Sequence, residues 1–169
     1  MSTGNKPLFT DFTYDNLGIP RNPENPFYKM AEMYNPMGTA WIDTGLGGFL
    51  TSTPEYYKVA RTEYGKEKVP TLRNVAKGSC EAEPDNDKCI VKAYGHNGYF
   101  KNLKSIVHFY NTRDVLPVCG FTGSVPGNNC WPLPEIALNM NTQEMGNLGL
   151  NEREENDIVA FMKTLSDRK

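Results

Sequence analysis

Only two segments of this 169-residue chain repeat apolar side chains at the spacing of a helix face, and both lie in its second half. In the first, Asn102 stands at the cap position, and Leu103, Ile106, Val107 and Tyr110 follow at i, i+3, i+4 and i+7. His108 falls off that stripe and is expected to face solvent. In the second, Asn151 with Glu154 three residues on predicts a capping box. Acidic Glu152, Glu154 and Glu155 at its start, and basic Lys163 and Arg168 towards its end, complement the helix dipole. Ile158, Phe161, Met162 and Leu165 form its expected buried stripe.

The rest of the chain is punctuated too heavily for long elements. Pro20, Pro23, Pro26 and Pro36 interrupt residues 18 to 37, each removing a backbone donor and restricting its predecessor. Gly45-Leu46-Gly47-Gly48 has no preceding strand and no following Lys-Ser/Thr, so it reads as a flexible turn and not as a phosphate cradle. A short helix is predicted over Pro54 to Tyr64, with Gly65 just past its end, and another from Pro70-Thr71-Leu72-Arg73-Asn74-Val75 to Gly78. Residues 115 to 150, with Cys119, Cys130, Trp131-Pro132 and Pro134, read as an extended excursion, and no strand is expected. Twelve Pro and fifteen Gly beside eight Phe and nine Tyr suggest loops pinned by aromatic rings. The expectation is a single all-α domain over residues 1–169, with few helices and long irregular loops.

A formal charge of −2 argues against a nucleic-acid or anionic-membrane binder, which would need excess positive charge. Mean hydropathy is −0.56, and no apolar run approaches the eighteen or so residues a membrane span requires. No signal peptide is visible after Met1, so the chain is expected to be cytosolic, already processed, or cut from something longer. The cysteines fall in two close pairs, Cys80 with Cys89 and Cys119 with Cys130, without C-x-x-C spacing. Two local disulfides are the simplest reading, each worth roughly 3 kcal/mol of unfolded-chain freedom, and they imply an oxidising compartment such as the periplasm. Four unpaired thiols and the two other pairings stay open at this level.

Chemistry-bearing side chains are few. His96 and His108 are the only histidines, which starves hydrolytic triads and multi-histidine metal sites. His96 sits in Tyr94-Gly95-His96-Asn97-Gly98, where Asn97-Gly98 marks a loop corner, and bonding to loop backbone accounts for it on pattern alone. Tyr110 ends an apolar stripe and reads as a core tyrosine with its hydroxyl hydrogen-bonded. No carboxylate pair stands out as an acid/base couple.

Several ordered segments nevertheless resemble one family. Pro7-Leu8-Phe9-Thr10-Asp11-Phe12 with Tyr14-Asp15-Asn16-Leu17-Gly18-Ile19-Pro20 resembles the stretch after a haem-attachment site in bacterial di-haem cytochrome c peroxidases. Lys68-Val69-Pro70-Thr71-Leu72-Arg73-Asn74-Val75 is similar to that family's Pro-Thr-Leu-Arg-Asn signature. Ala93-Tyr94-Gly95-His96-Asn97-Gly98-Tyr99-Phe100-Lys101 and the helix to Asn111 match the segment carrying its sixth iron ligand. Gly146-Asn147-Leu148-Gly149-Leu150 into Ile158-Val159-Ala160-Phe161 is similar to its last cytochrome c helix.

The resemblance is to the C-terminal haem domain and implies a cytochrome c-like fold. Ordinary members ligate iron with a Met on the helix where this chain has Tyr110, fourteen residues after His96, and a Tyr there is similar to the methylamine-utilisation branch. The implied site is therefore Tyr110 as axial iron ligand, with His96 in the haem surroundings and Arg73 beside a haem propionate. Met140 and Met145 are the runner-up ligands. The implied cofactor is haem c, with calcium possible through carbonyls at Val91 to Ala93. The implied partners are an N-terminal haem domain, hydrogen peroxide, and a small redox protein or a partner protein as donor, in the periplasm. The implied activity is an oxidoreductase relaying electrons between haems for peroxide reduction or oxidation of a partner's residues. One departure stands out: no C-x-x-C-H occurs, and only six residues precede Pro7, so truncation just past the attachment site is expected. The alternative is a haem-free, disulfide-braced interaction module of cytochrome c-like shape, using exposed Trp131, Tyr56 and Tyr57.

Overall fold

A computed structural model of the chain describes residues 7–77 and 93–166. Cys80 and Cys89, Gly78, Val91 and Lys92, and Arg168 lie outside the described residues, and with them the first expected disulfide and most of the expected calcium segment. The described elements are strand β1 (Tyr14–Asp15), helix α1 (Gly45–Thr51), strand β2 (Glu67–Lys68), helix α2 (Leu103–Thr112) and helix α3 (Glu152–Thr164). Three 3-10 segments, Pro26–Lys29, Gly38–Ala40 and Tyr57–Glu63, complete them.

Both predicted amphipathic helices form where their caps place them. The Asn102 side chain accepts from the Ser105 backbone N–H at 2.8 Å. Asn151 accepts from Arg153 and Glu154 while the Glu154 carboxylate takes the Asn151 N–H, a complete capping box. Leu103, Val107 and Phe109 of α2 are buried, and Phe109 has no exposed surface at all. Phe109 packs edge-on against Trp131 at 5.0 Å and tilted against Phe100 at 5.1 Å, forming the aromatic centre of the core. Trp131 is only 4% exposed and donates its indole N–H to Thr112 Oγ1, which removes it from any docking surface; Tyr56 and Tyr57 are exposed as expected.

The face of α3 departs from the prediction. Glu155, Val159 and Met162 are buried, whereas Ile158 and Phe161 stand open. A carboxylate replaces an apolar residue in the buried stripe because α2 supplies partners for it. Glu155 Oε2 meets Lys104 Nζ at 2.8 Å, and Oε1 meets His108 Nδ1 at 2.8 Å and Asn111 Nδ2 at 2.7 Å. His108 is therefore tied to α3 and does not simply face solvent.

Local prediction fails most in the first half. The Gly45–Thr51 glycines form a helix, against the expectation of a turn. The reason is tertiary: a Cβ on Gly47 would come within 2.3 Å of Tyr64 Cα, so glycine alone lets α1 lie on the 3-10 segment Tyr57–Glu63. That packing offsets a propensity cost of about 1 kcal/mol per glycine. The helix expected over Pro54 to Tyr64 is the shorter 3-10 segment, ended by Gly65 at φ +82°. The helix expected from Pro70 is a set of turns in which Asn74 takes φ +64° and donates its N–H to Leu165 O at 2.8 Å. The all-α expectation also omitted β1 and β2, which pair antiparallel with Tyr14 opposite Lys68 and Asp15 opposite Glu67.

Buried asparagines do the work that sheets do elsewhere, satisfying loop backbone groups. Asn16 donates to Ile136 O and Leu138 O, Asn22 to Asn97 O, Asn97 to Pro20 O, and Asn111 to Leu150 O. Cys119 and Cys130 form the second expected disulfide, closing a loop of the 115–150 excursion with Cα atoms 5.0 Å apart. Among the described residues no helix is long and apolar enough to cross a membrane.

Candidate haem-binding cavity

The amphipathic stripe of α2 does more than pack a core. Leu103, Ile106, Val107 and Tyr110 form one wall of a cavity of about 990 Å³, and Ile158 and Met162 of α3 form another. The opposite side is built from residues 9–19 and 67–75, which contribute Phe9, Leu17, Val69, Leu72 and Val75. Two side chains predicted to be buried on α3 are thus explained. Ile158 faces this open space, and Phe161 meets Phe9 of the cavity wall edge-on at 6.3 Å.

Tyr110 is half-buried, and among the described residues its phenol makes no hydrogen bond, contrary to the core-tyrosine reading. Burial pushes its acidity down to a pKa of about 12; the nearby Asp15 carboxylate adds to this and the Arg113 guanidinium opposes it. Arg113 is 8% exposed and fixes the C-terminal end of α2. It donates to Leu17 O at 2.8 Å and Asn141 O at 2.7 Å, and grips Asp114 with Nε and Nη2 at 2.7 and 2.5 Å. The Tyr110 carbonyl accepts from the Gly146 N–H at 2.6 Å, which ties this turn of α2 to the segment before α3.

His96 also lines the cavity, at the loop corner the sequence predicted. Its partner is a carboxylate and not loop backbone: Nε2 lies 3.5 Å from Glu135 Oε2, whose side chain is only 3% exposed. Arg73 sits half-buried between the cavity-lining Leu72 and Val75 but is not itself one of the lining residues. Met140 and Met145 are not in the wall either. The Met140 sulfur lies against Gly18, and Met145 belongs to the buried core.

Three acidic residues of the cavity went unmarked in the sequence. Asp15 and Glu67 are brought together by the β1–β2 pairing, and Asp11 lies close by in the chain. Burial raises the Glu67 carboxyl to about 7, helped by the nearby carboxylates of Asp43 and Glu135. Two-residue strands leave no periodic signal, so nothing local could have revealed that grouping. Among the described residues there is no cluster of three or more His, Cys, Asp or Glu able to hold a metal ion by itself.

A planar apolar group fits this space. Most of the walls are aliphatic and aromatic, Ile158 stands open to the space, and the Tyr110 oxygen on α2 makes no hydrogen bond among the described residues.

No family model matches the chain. It is 31% identical over 166 residues to the methylamine utilization protein MauG of Paracoccus denitrificans, an alignment covering 95% of this chain and 35% of MauG. It is 26% identical to cytochrome-c peroxidase IdrP1 of Denitromonas iodatirespirans, covering 96% of this chain and 35% of that protein. Its fold superposes on a variant of the diheme peroxidase BthA from Burkholderia thailandensis with a TM-score of 0.65 and 26% identity, over 95% of this chain and 34% of BthA. The chain therefore spans about a third of the length of these relatives. Taken with the cytochrome c peroxidase-like fold and the tyrosine-bearing cavity, these matches are consistent with a partial domain of the di-haem peroxidase and MauG family.

Proposed function

We propose that this chain is the C-terminal haem-domain portion of a periplasmic di-haem peroxidase-like oxidoreductase, passing oxidising equivalents between its own haem and that of a second domain. The observation that carries this reading is the Tyr110 phenol, which makes no hydrogen bond among the described residues and stands on the wall of a large, mostly apolar cavity. Haem, when bound, supplies one-electron redox chemistry at an iron whose potential is set by its axial ligands. The protein's own contribution is placement and exclusion of water. The α2 and α3 side chains would cover a flat ligand, Tyr110 would offer it an oxygen donor, and His96 lines the same cavity. Arg73, next to the lining residue Leu72 in the chain, would serve a propionate, since a guanidinium fork suits a carboxylate. A phenolate is a harder donor than a thioether, so this site favours oxidised iron relative to a Met-ligated one.

The whole protein uses hydrogen peroxide as acceptor and takes electrons from a small redox protein or from an aromatic residue of a partner protein. Haem c is the family's form of the cofactor, although the sequence contains no C-x-x-C-H to anchor it. Calcium bound through carbonyls near Ala93 belongs to the same reading. The test is a titration of the full chain with ferric haem. Saturation at one equivalent is expected, with an oxidised-state absorption spectrum that changes in Tyr110→Phe. Absence of saturable binding, or identical spectra for parent and variant, refutes the assignment of Tyr110 as iron ligand.

A further inference from the structure

Tyr28 lies away from the cavity, in the 3-10 segment Pro26–Lys29, and is 7% exposed. Its phenol is held between two charges. Arg21 Nε–H donates to the hydroxyl oxygen at 3.1 Å, and the hydroxyl donates to Glu135 Oε1 at 3.2 Å. The Arg21 guanidinium also sits over the ring, 4.8 Å from its centre. Glu135 is 3% exposed at its side chain and pinned by its backbone N–H to Ile19 O at 3.0 Å. Its other oxygen accepts from Asn97 Nδ2 at 3.2 Å and faces His96 Nε2 at 3.5 Å. His96 lines the cavity, so one row of polar groups runs from the cavity wall to Tyr28.

A structural hydrogen bond alone would explain a satisfied tyrosine hydroxyl. Any acceptor would serve such a bond; here it is an almost fully buried carboxylate, tolerable only because Tyr28, Asn97 and His96 partner it. The chemistry of phenols gives that base a purpose. A phenol that loses an electron becomes a strong acid, and a radical cation stranded in a dry interior is prohibitive, so the proton must leave with the electron. Tyr28 has a base already in hydrogen-bond contact, which is the geometry proton transfer requires. Arg21 on the other side balances the Glu135 charge before oxidation, and once the electron has left the guanidinium carries the site's net positive charge.

We propose that Tyr28 is a redox-active tyrosine whose one-electron oxidation is coupled to proton transfer to Glu135. The Tyr28 O–H bond breaks, its proton forms an O–H bond on Glu135 Oε1, and one electron passes to a one-electron acceptor. The products are a neutral tyrosyl radical and a neutral carboxylic acid, and reduction reverses each change. In the cell the acceptor rests on the function proposed above, since a peroxide-driven haem group is an oxidant of this class. The site then stores an oxidising equivalent or relays it towards the surface at Arg21.

The test supplies the oxidant externally, so its outcome is separable from haem binding. The full chain, with the exposed Tyr14, Tyr34, Tyr56 and Tyr57 changed to Phe, is oxidised by photogenerated ruthenium(III) tris-bipyridine and followed by transient absorption and freeze-quench paramagnetic resonance. A neutral tyrosyl signal is expected that Tyr28→Phe diminishes. Glu135→Gln keeps shape but not basicity and should slow its formation about a hundredfold or more. A signal undiminished in Tyr28→Phe, or formed at the parental rate in Glu135→Gln, overturns the proposal. If Glu135→Gln does not fold, as judged by circular dichroism, the parent is measured in deuterium oxide, where an unchanged rate of radical formation is equally fatal.

Discussion

Removing the Glu155 carboxylate tests whether a charge can hold together two helices that the hydrophobic pattern alone would pair differently. In Glu155→Ala, α2 loses three donors' common acceptor at 2.7 to 2.8 Å. A hydrogen bond to a charged group is worth about 1.5–3 kcal/mol, but the three are not independent. Lys104 and His108 keep 35% and 28% of their side-chain surface and regain water when the carboxylate goes, so their share is small. Asn111 is 5% exposed and keeps only its bonds with Leu150. The sum is a loss of about 2–3 kcal/mol, roughly 4–12 °C in melting temperature for a domain of this size. Urea denaturation at pH 7 measures it, and a cycle with Asn111→Ala should show a coupling of about 1 kcal/mol.

The pH dependence gives an independent reading of the same clamp. Burial alone would raise the Glu155 carboxyl, but the hydrogen bonds from Lys104, Asn111 and His108 together bring it below the ordinary value of 4.5. A carboxyl lowered by folding contributes stability above its unfolded value, and that contribution disappears as pH falls through the lower folded value. The gap between the parent and Glu155→Gln should therefore be full at pH 7 and close in acid. A loss below about 0.5 kcal/mol at pH 7, the level of an ordinary surface substitution, would refute the reasoning, as would a gap that does not narrow in acid.

Two further outcomes follow from the same physics. Glu67 is raised to about 7, first by burial and then by Asp43, so its ionisation opposes folding between pH 4.5 and 7. Glu67→Gln should stabilise the chain at pH 8 by about 1 kcal/mol, after allowing for screening by solvent, and have little effect at pH 4; denaturation curves at the two pH values check this. Gly47→Ala drives a methyl into Tyr64 backbone, which cannot move aside as a flexible side chain can. It should cost about 2 kcal/mol or more, whereas an alanine at Gly149, which has nothing within 4 Å, pays only for its φ of +68°. Comparative melting of the two variants separates steric from conformational cost.

The sequence by itself determined the two long helices, because caps and apolar spacing are local: Asn102 and Asn151 sit next to the turns they close. It made the pairing of Cys119 with Cys130 the simplest of the open possibilities, since the two stand only 11 positions apart in turn-rich chain. Tyr110 was legible as an inward-facing residue, and ordered family motifs marked it further. Tertiary structure alone decided which groups meet across distance. Glu155 is buried because three donors of α2 face it, and a glycine run is helical because a second segment lies against it. Asp15 joins Glu67 through a two-residue strand pair, and Tyr28 finds Glu135 107 residues away. Burying a polar group is favourable only when a specific partner is present, and no local periodicity encodes a partner that far along the chain.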